Sequence, residues 1–330
     1  MKKQIYIVLF VLSLAVLAAF VIEAYKANYS QKRIHFIMKD VGLYTPYEDL
    51  LQLREGGITL ITTEWGMEEP ADEVFRFLDR ALKAGLRVIM DGGFSETAWG
   101  YDSGVHKKNQ KPIWQKEKAQ SWIKKIRVHP AVYAYDICNE FGENMPVPQE
   151  HPEGGVEWIE DYSIQKNQLQ KVRKDIRAID PVRPLMLRMR NWDLDDDDFD
   201  LNRFIESDLT EIIMLNLYTN WVYDGYDPDN EILISQKAER YISRLRKIDP
   251  DVEIWVAVAA FAGMPYFKKP SRQKLEKDIL DSLKLKNISG IGFFGLGWIA
   301  DEDDHEENWY LFKEGRDLWQ VIKTEIRSNR

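Results

Sequence analysis

Eight short apolar runs, separated by longer amphipathic stretches, are the feature that most limits what this chain can become. The runs fall near Ile34–Met38, Ile58–Thr62, Arg87–Asp91, Val132–Ile137, Leu185–Arg188, Ile212–Leu217, Ile254–Ala259 and Ile291–Phe294. They are apolar on both faces, as strands of a parallel sheet are when helices cover each side. Between them, Tyr47–Arg54, Ala71–Ala84, Lys116–Arg127, Tyr162–Ile179, Asn230–Ile248, Arg272–Leu285 and Trp309–Arg327 put apolar residues at three- and four-residue intervals. That is the period of a helix with one buried stripe. A weaker helical stretch lies around Asp200–Ser207. Breakers stand where the helices should stop, at Gly56-Gly57, Gly85, Asp180-Pro181 and Asp249-Pro250. Asp180-Pro181-Val182 and Asp249-Pro250-Asp251 occupy the same place, each ending a helix before a strand.

Strand–helix alternation with eight strands predicts an α/β chain folded as a (β/α)8 TIM barrel. The competing arrangement is a doubly wound open sheet. The count of eight, and the lack of a Gly-rich phosphate turn after the first strand, favour closure. An apolar share of 45% supplies the core and excludes a disordered chain. No stretch reads as a linker between folded domains, so residues 31–330 are expected to form one barrel behind a separate segment at 1–30.

That segment reads Met1-Lys2-Lys3-Gln4, then an apolar run from Ile5 to Ile22 broken only by Tyr6 and Ser13. Two lysines ahead of such a run match the start of a secretory signal. The run is also long enough to cross a bilayer core of about 30 Å as a helix. Ala18-Ala19-Phe20 lies inside it and makes a poor cleavage site. An uncleaved transmembrane anchor is the first expectation, a cleaved signal helix the second and a buried helix the third. With Lys2 and Lys3 inside, the barrel stands on the far side of the membrane, or is secreted if the segment is cleaved. The single cysteine, Cys138, excludes an internal disulfide framework and a cysteine zinc site. Acidic residues outnumber basic ones, 54 against 45, which argues against a general nucleic-acid binder.

Barrels of this kind carry their sites at the carboxyl ends of the strands. Those ends supply Asp40, Glu64, Trp65, Asp91, Trp99, Asn139, Glu140, Glu143, Arg188, Arg190, Trp192, Asn216, Tyr218, Trp221, Trp298, Asp301 and Glu302. Five of these are tryptophans. Flat rings take the C–H faces of sugars while carboxylates and amides take the hydroxyls, so the expected partner is a carbohydrate. Trp122, Trp158, Trp255 and Trp319 are assigned to packing. Glu64, beside Trp65, has the surroundings that perturb a carboxyl pKa. The five histidines have no ligand spacing. The acidic loop Asp193–Asp200 lacks the glycine and terminal glutamate of a calcium loop, and Asp301–Glu307 is read as solvated too, apart from Asp301 itself. Neither a metal nor a cofactor is expected.

The stretch His129-Pro130-Ala131-Val132-Tyr133-Ala134-Tyr135-Asp136-Ile137-Cys138-Asn139-Glu140 ends a helix, turns, and delivers an Asn-Glu pair at the tip of the fourth strand. It resembles the fourth strand of the clan A glycoside hydrolases, the cellulase and mannanase superfamily. The resemblance implies Asn139 on the sugar 2-hydroxyl and Glu140 as general acid/base, its pKa raised by burial among aromatics. Asn216-Leu217-Tyr218 resembles the family's Asn-x-Tyr, whose phenol bonds the nucleophile, and Gly297-Trp298 its sugar-platform tryptophan. Trp65 and Asp301 are further candidates for the substrate cleft. The likeness spans roughly Arg33 to Arg327.

One departure is large. Retaining members carry a second carboxylate at the tip of strand seven, where this chain reads Ala260-Phe261-Ala262-Gly263. Glu253 stands at the other end of that strand, roughly 20 Å away. Double displacement needs two carboxyls about 5 Å apart. Hydrolysis would therefore need a non-standard second carboxylate, with Glu64, Asp91 and Asp301 as candidates. A catalytically inactive carbohydrate-binding barrel is the alternative, and a different chemistry on the same fold the third.

Overall fold

The computed structural model describes residues 34–63, 65–67, 69–91, 114–138, 145–150, 156–162, 166–189, 201–203, 205–220, 234–262, 267–298 and 309–329. At 91, 145–150, 156–162, 203 and 298 the description covers the backbone alone. The chain divides into two units, Met1–Ile34 and His35–Arg330, and the following concerns the second. Among the described residues no helix is long and apolar enough to cross a membrane. The apolar run Ile5–Ile22 lies outside them.

The strands are β1 (His35–Met38), β2 (Leu60–Thr62), β3 (Arg87–Asp91), β4 (Val132–Cys138), β5 (Met145–Glu150), β6 (Val156–Tyr162), β7 (Leu185–Met189), β8 (Ile212–Asn216), β9 (Glu253–Ala259), β10 (Ile288–Phe294), β11 (Gly297–Trp298) and β12 (Trp309–Tyr310). Eight of them close a parallel barrel in the order β1-β10-β9-β8-β7-β4-β3-β2. The helices are α1 (Tyr47–Gly56), α2 (Ala71–Lys83), α3 (Lys116–Ile126), α4 (Lys166–Arg177), α5 (Ile234–Ile248), α6 (Arg272–Lys284) and α7 (Arg316–Ser328). Their buried positions follow the helical period, for example Val74, Phe77, Leu78 and Ala81 on α2. The eight-stranded barrel is thus as the alternation predicts.

Alternate residues of the barrel strands point inward. Ile37, Leu60, Ile89, Ala134, Met186, Met214 and Ala257 form a buried layer, joined by Ile212 and the fully buried Trp255. Trp255 fits because β10 carries glycine opposite it: a Cβ on Gly290 would lie 2.8 Å from the indole. Trp122 and Trp319 are buried as well, in keeping with their packing assignment. At the end of α1, Gly57 adopts φ 105 and returns its N–H to Arg54 O at 3.0 Å, a left-handed cap that suits glycine.

The two Asp-Pro turns share one set of bonds. Asp180 Oδ1 accepts from the N–H groups of Val182 and Arg183, both at 3.2 Å. Asp249 Oδ1 accepts from Asp251 at 3.0 Å and Val252 at 3.2 Å. Arg177, three residues before the first aspartate, donates to Arg183 O at 2.6 Å. Arg246, three before the second, donates to Val252 O at 2.5 Å. A repeated Arg-x-Ile-Asp-Pro sequence therefore builds the same helix-to-strand turn twice.

Several boundaries differ from expectation. The helix foreseen from Tyr162 begins at Lys166, because Val156–Tyr162 is strand β6, paired antiparallel with β5. Pro146 and Pro148 in β5 lack an N–H and lie two apart, so one side of that strand cannot donate to a further neighbour. Trp158 accordingly stands in a strand. The helix foreseen from Trp309 begins at Arg316, after Gly315; Trp309 and Tyr310 instead pair with β11. The weak stretch at Asp200–Ser207 yields only a 3-10 turn at Leu201–Arg203, and β10 starts three residues before the expected Ile291.

Candidate active site

One step toward the carboxyl ends, the inward row changes character. Lys39 follows Ile37, Thr62 follows Leu60, Asp136 follows Ala134, Arg188 follows Met186 and Asn216 follows Met214, each by two residues. All five are buried. An apolar barrel therefore ends in a polar layer beneath the mouth, whose bonds run across the barrel rather than along it.

Arg188 on β7 reaches the opposite side to meet Asp40, with 3.4 Å between Nη1 and Oδ1, and its Nε lies against Asp136 of the neighbouring β4. Asp40 sits just past β1 with φ 55, a left-handed conformation uncommon for a non-glycine residue. Its carboxylate is held by the Thr62 hydroxyl at 3.2 Å, and its N–H donates to Thr62 Oγ1 at 2.9 Å. Burial pushes the Asp136 carboxyl well above the ordinary range. The Lys39 charge and the Cys138 N–H oppose that shift, and the Asp40 charge adds to it. Lys39, 1% exposed, donates to Asn216 Oδ1 at 2.9 Å and to the Tyr218 hydroxyl. Its ammonium also lies 4.9 Å from the centre of the Phe294 ring.

Past the tips of β8, β9 and β10 the lining is aromatic. Tyr218 stacks on Phe294 at 5.2 Å, and Phe261 meets Phe294 edge-on at 4.5 Å. Asn220 clamps the Phe261 carbonyl at 2.9 Å. Ala259, Ala260 and Phe261 at the tip of β9, the seventh barrel strand, are all buried. No acidic residue occurs between Ile254 and Arg272 in the sequence, so this half of the mouth has no carboxylate from that strand or its loop.

The structure brings Tyr218 and Asn216 into the polar layer. Trp65 lies elsewhere: it is buried, with its indole N–H on Val41 O at 2.9 Å and its ring edge-on to Phe77 at 4.9 Å. The Asp91 backbone is in β3, directly beside Asp136 in register. Trp298 pairs through its backbone with Trp309. Glu64, Asn139, Glu140 and Asp301 lie outside the described residues, Asn139 following directly on the last residue of β4. Lys39 and Asp136 are additions from the structure. The signal for both is a charge two residues beyond an inward apolar position. Asp40 and Arg188 stand among the strand-end residues, but their pairing across the barrel does not follow from sequence. Among the described residues no cluster of histidine, cysteine or acidic side chains is arranged to hold a metal.

No protein-family model and no curated protein matches the chain. Solved structures do. A variant of a GH5_18 protein from Streptomyces cattleya, in complex with Manβ1-4GlcNAc, aligns with TM-score 0.63 at 13% identity, covering 90% of this chain and 81% of that one. A GH5_18 protein from Bifidobacterium longum subsp. infantis gives 0.62 at 13% identity, covering 90% and 79%. A GH2 β-galacturonidase from Eisenbergiella tayi, bound to glycerol, gives 0.53 at 15% identity, covering 86% of this chain but 47% of that one. At such identities the likeness is one of fold: the barrel is built like those of clan A glycoside hydrolases.

Proposed function

We propose that the mouth at the carboxyl ends of the strands holds a β-linked saccharide and that Glu140 hydrolyses it as general acid/base. The observation that carries this reading is the buried polar layer that includes Asn216 and leads to Tyr218, on a barrel similar to those of glycoside hydrolases. In sequence the layer continues directly into Asn139-Glu140, next after β4. In this reading Glu140 protonates the departing glycosidic oxygen, Asn139 and Tyr218 orient the sugar and Trp298 offers a stacking face. The second carboxylate comes from Glu64 or Asp91, since strand seven has none. A separation of about 6.5–9.5 Å from Glu140 would invert the anomeric centre, and about 5 Å would retain it.

A second reading has an observation of its own. The strand-seven tip is packed as Ala259-Ala260-Phe261, and the hydroxyl of Tyr218 is engaged by an ammonium. Both features favour a barrel that binds saccharide without cleaving it. The experiment that separates the two follows neutral β-linked gluco- and manno-oligosaccharides by NMR, recording binding shifts and the anomer released. Binding with product supports the enzyme, and the first-formed anomer names the geometry. Binding without product supports the second reading, and neither binding nor product refutes both. The lysines before Ile5–Ile22 support an extracytoplasmic barrel, anchored or released by cleavage. Fractionation of expressing cells, with N-terminal sequencing of the barrel, tests that placement.

A further inference from the structure

We infer that the amino-terminal end of the barrel is a membrane-contacting face that lies on anionic lipid headgroups, a proposal that deepens the anchored reading of Ile5–Ile22 above and rests on it. Among the described residues four large hydrophobic side chains stand in solvent. Three of them, Leu82, Val128 and Val182, share this end, the last two being 71% and 82% exposed. Leu82 is in the last turn of α2, and the other two stand in the turns that lead into β4 and β7. These turns serve β3, β4 and β7, which are neighbours in the closed sheet. They are also tied to one another: Arg87 and Arg183 both donate to Val132 O, at 3.3 and 3.0 Å, and Arg127 donates to Ile179 O. Single exposed hydrophobics are ordinary on a protein surface, whereas a set gathered on one face marks an interface.

Charge selects the partner. Residues 82–87, 124–131 and 180–184 carry Lys83, Arg87, Lys124, Lys125, Arg127 and Arg183 against one carboxylate, Asp180, in a chain whose net charge is −9. All of these cations except Arg183 are exposed. Asp79, one turn back on α2, is held by His129 at 3.1 Å. Cations are expected where helices end, since the helix dipole is negative there. Other turns at this end balance theirs with acids: Arg246 and Lys247 stand beside Asp249, Asp251 and Glu253, and Arg54 beside Glu55. The positive excess therefore belongs to the β3–β4–β7 sector, where the exposed apolar side chains are. Apolar tips among lysine and arginine suit a bilayer interface, the tips entering the headgroup boundary and the cations meeting anionic lipid. The chain brings such a surface close. His35 opens β1 at this same end, and Glu23–Ile34, which separate it from the apolar run, reach at most about 40 Å when fully extended. A barrel lying on this face turns its mouth, at the carboxyl ends of the strands, away from the bilayer and toward glycans beyond it.

The test uses the full chain reconstituted into vesicles of phosphatidylcholine, with or without phosphatidylglycerol. A fluorophore is placed on Val128→Cys, on Val182→Cys or on Tyr44→Cys, the last an exposed position past β1 at the opposite end of the barrel. Cys138 is buried, and wild type taken through the same labelling gives the background. Flotation after an alkaline wash reads anchoring, and nitroxide-labelled lipid then quenches a fluorophore that reaches the bilayer. In vesicles containing phosphatidylglycerol, quenching at Val128 and Val182 should exceed that at Tyr44 at least threefold. It should fall at least twofold in phosphatidylcholine alone, and likewise when Lys124→Gln and Lys125→Gln are added. Each basic residue near an anionic surface is worth about fivefold in the bound population. Equal quenching at all three positions of a floating chain, or quenching indifferent to lipid charge and to both lysines, overturns the inference and leaves the anchor standing. A chain that does not float overturns the anchored reading and the inference with it.

Discussion

Replacing Arg188 with methionine removes a side chain that pairs with both Asp40 and Asp136 of the polar layer. Arg188 is 2% exposed, and its partners Asp40 and Asp136 are 7% and 0% exposed. At 3.4 Å and an effective dielectric of about 20, the attraction to Asp40 alone amounts to about 5 kcal/mol before desolvation is subtracted. Removing one partner of a buried pair leaves an uncompensated charge and costs about 3–5 kcal/mol. Arg188→Met should therefore lower the unfolding free energy by about that amount at pH 8, measured by urea denaturation. The loss should also depend on pH. Burial raises the Asp136 carboxyl, so the folded chain holds that proton more tightly than the unfolded chain does. The stability linked to it is complete below the unfolded pKa and is lost as pH rises through the folded one. Without Arg188 the folded value rises further, and protonated Asp136 no longer needs a counter-charge. The deficit should therefore be smaller at pH 5 than at pH 8. Asp136→Asn in the same background should recover part of the loss at pH 8. A deficit below about 1 kcal/mol at pH 8, or one equal at both pH values, refutes the description of this layer as a buried ion network.

Three further outcomes follow from the packing and the turns. Asp180→Ala removes an acceptor for Val182 N–H, Arg183 N–H, the Tyr135 hydroxyl and the Arg183 guanidinium, and should cost about 3 kcal/mol in urea unfolding at neutral pH. Burial works to raise this carboxyl, but its bonds with Arg183 and Tyr135 and the turn N–H groups prevail and hold it below the ordinary range. The difference from wild type should therefore narrow as pH falls through the folded value. Gly290→Ala places a methyl 2.8 Å from the Trp255 ring and should lower stability by about 1–3 kcal/mol, seen as a fall in Tm. Gly56→Ala meets Trp319 at 2.3 Å and should behave alike.

The barrel was legible because each strand run is apolar on both faces and each helix has a single apolar stripe. These are local patterns, and burial of a parallel sheet leaves few other ways to satisfy them. Asp180-Pro181 and Asp249-Pro250 were legible for the same reason: an Asx turn is written within four residues. The β5–β6 hairpin was missed because Val156–Tyr162 mixes apolar and acidic residues without clean alternation, and proline in Met145–Glu150 argues against a strand unless it lies at an edge. The polar layer was half legible. Asn216 and Tyr218 stand in a motif, whereas Lys39 and Asp136 owe their meaning to partners 177 residues away for Lys39 and across neighbouring strands for Asp136. Trp65 shows the converse. Its place after a strand suits a cleft, yet Phe77 and the Val41 carbonyl draw it into packing.

The central claim is that this mouth holds a saccharide and that Glu140 supplies the proton for its cleavage. The most direct measurement is product release from β-linked oligosaccharides by wild type and Glu140→Gln, paired with calorimetric binding of the same sugars. Wild type should turn these sugars over, and Glu140→Gln should do so about 10²–10⁴-fold more slowly with affinity unchanged. Hydrolysis that continues at the wild-type rate in Glu140→Gln contradicts it.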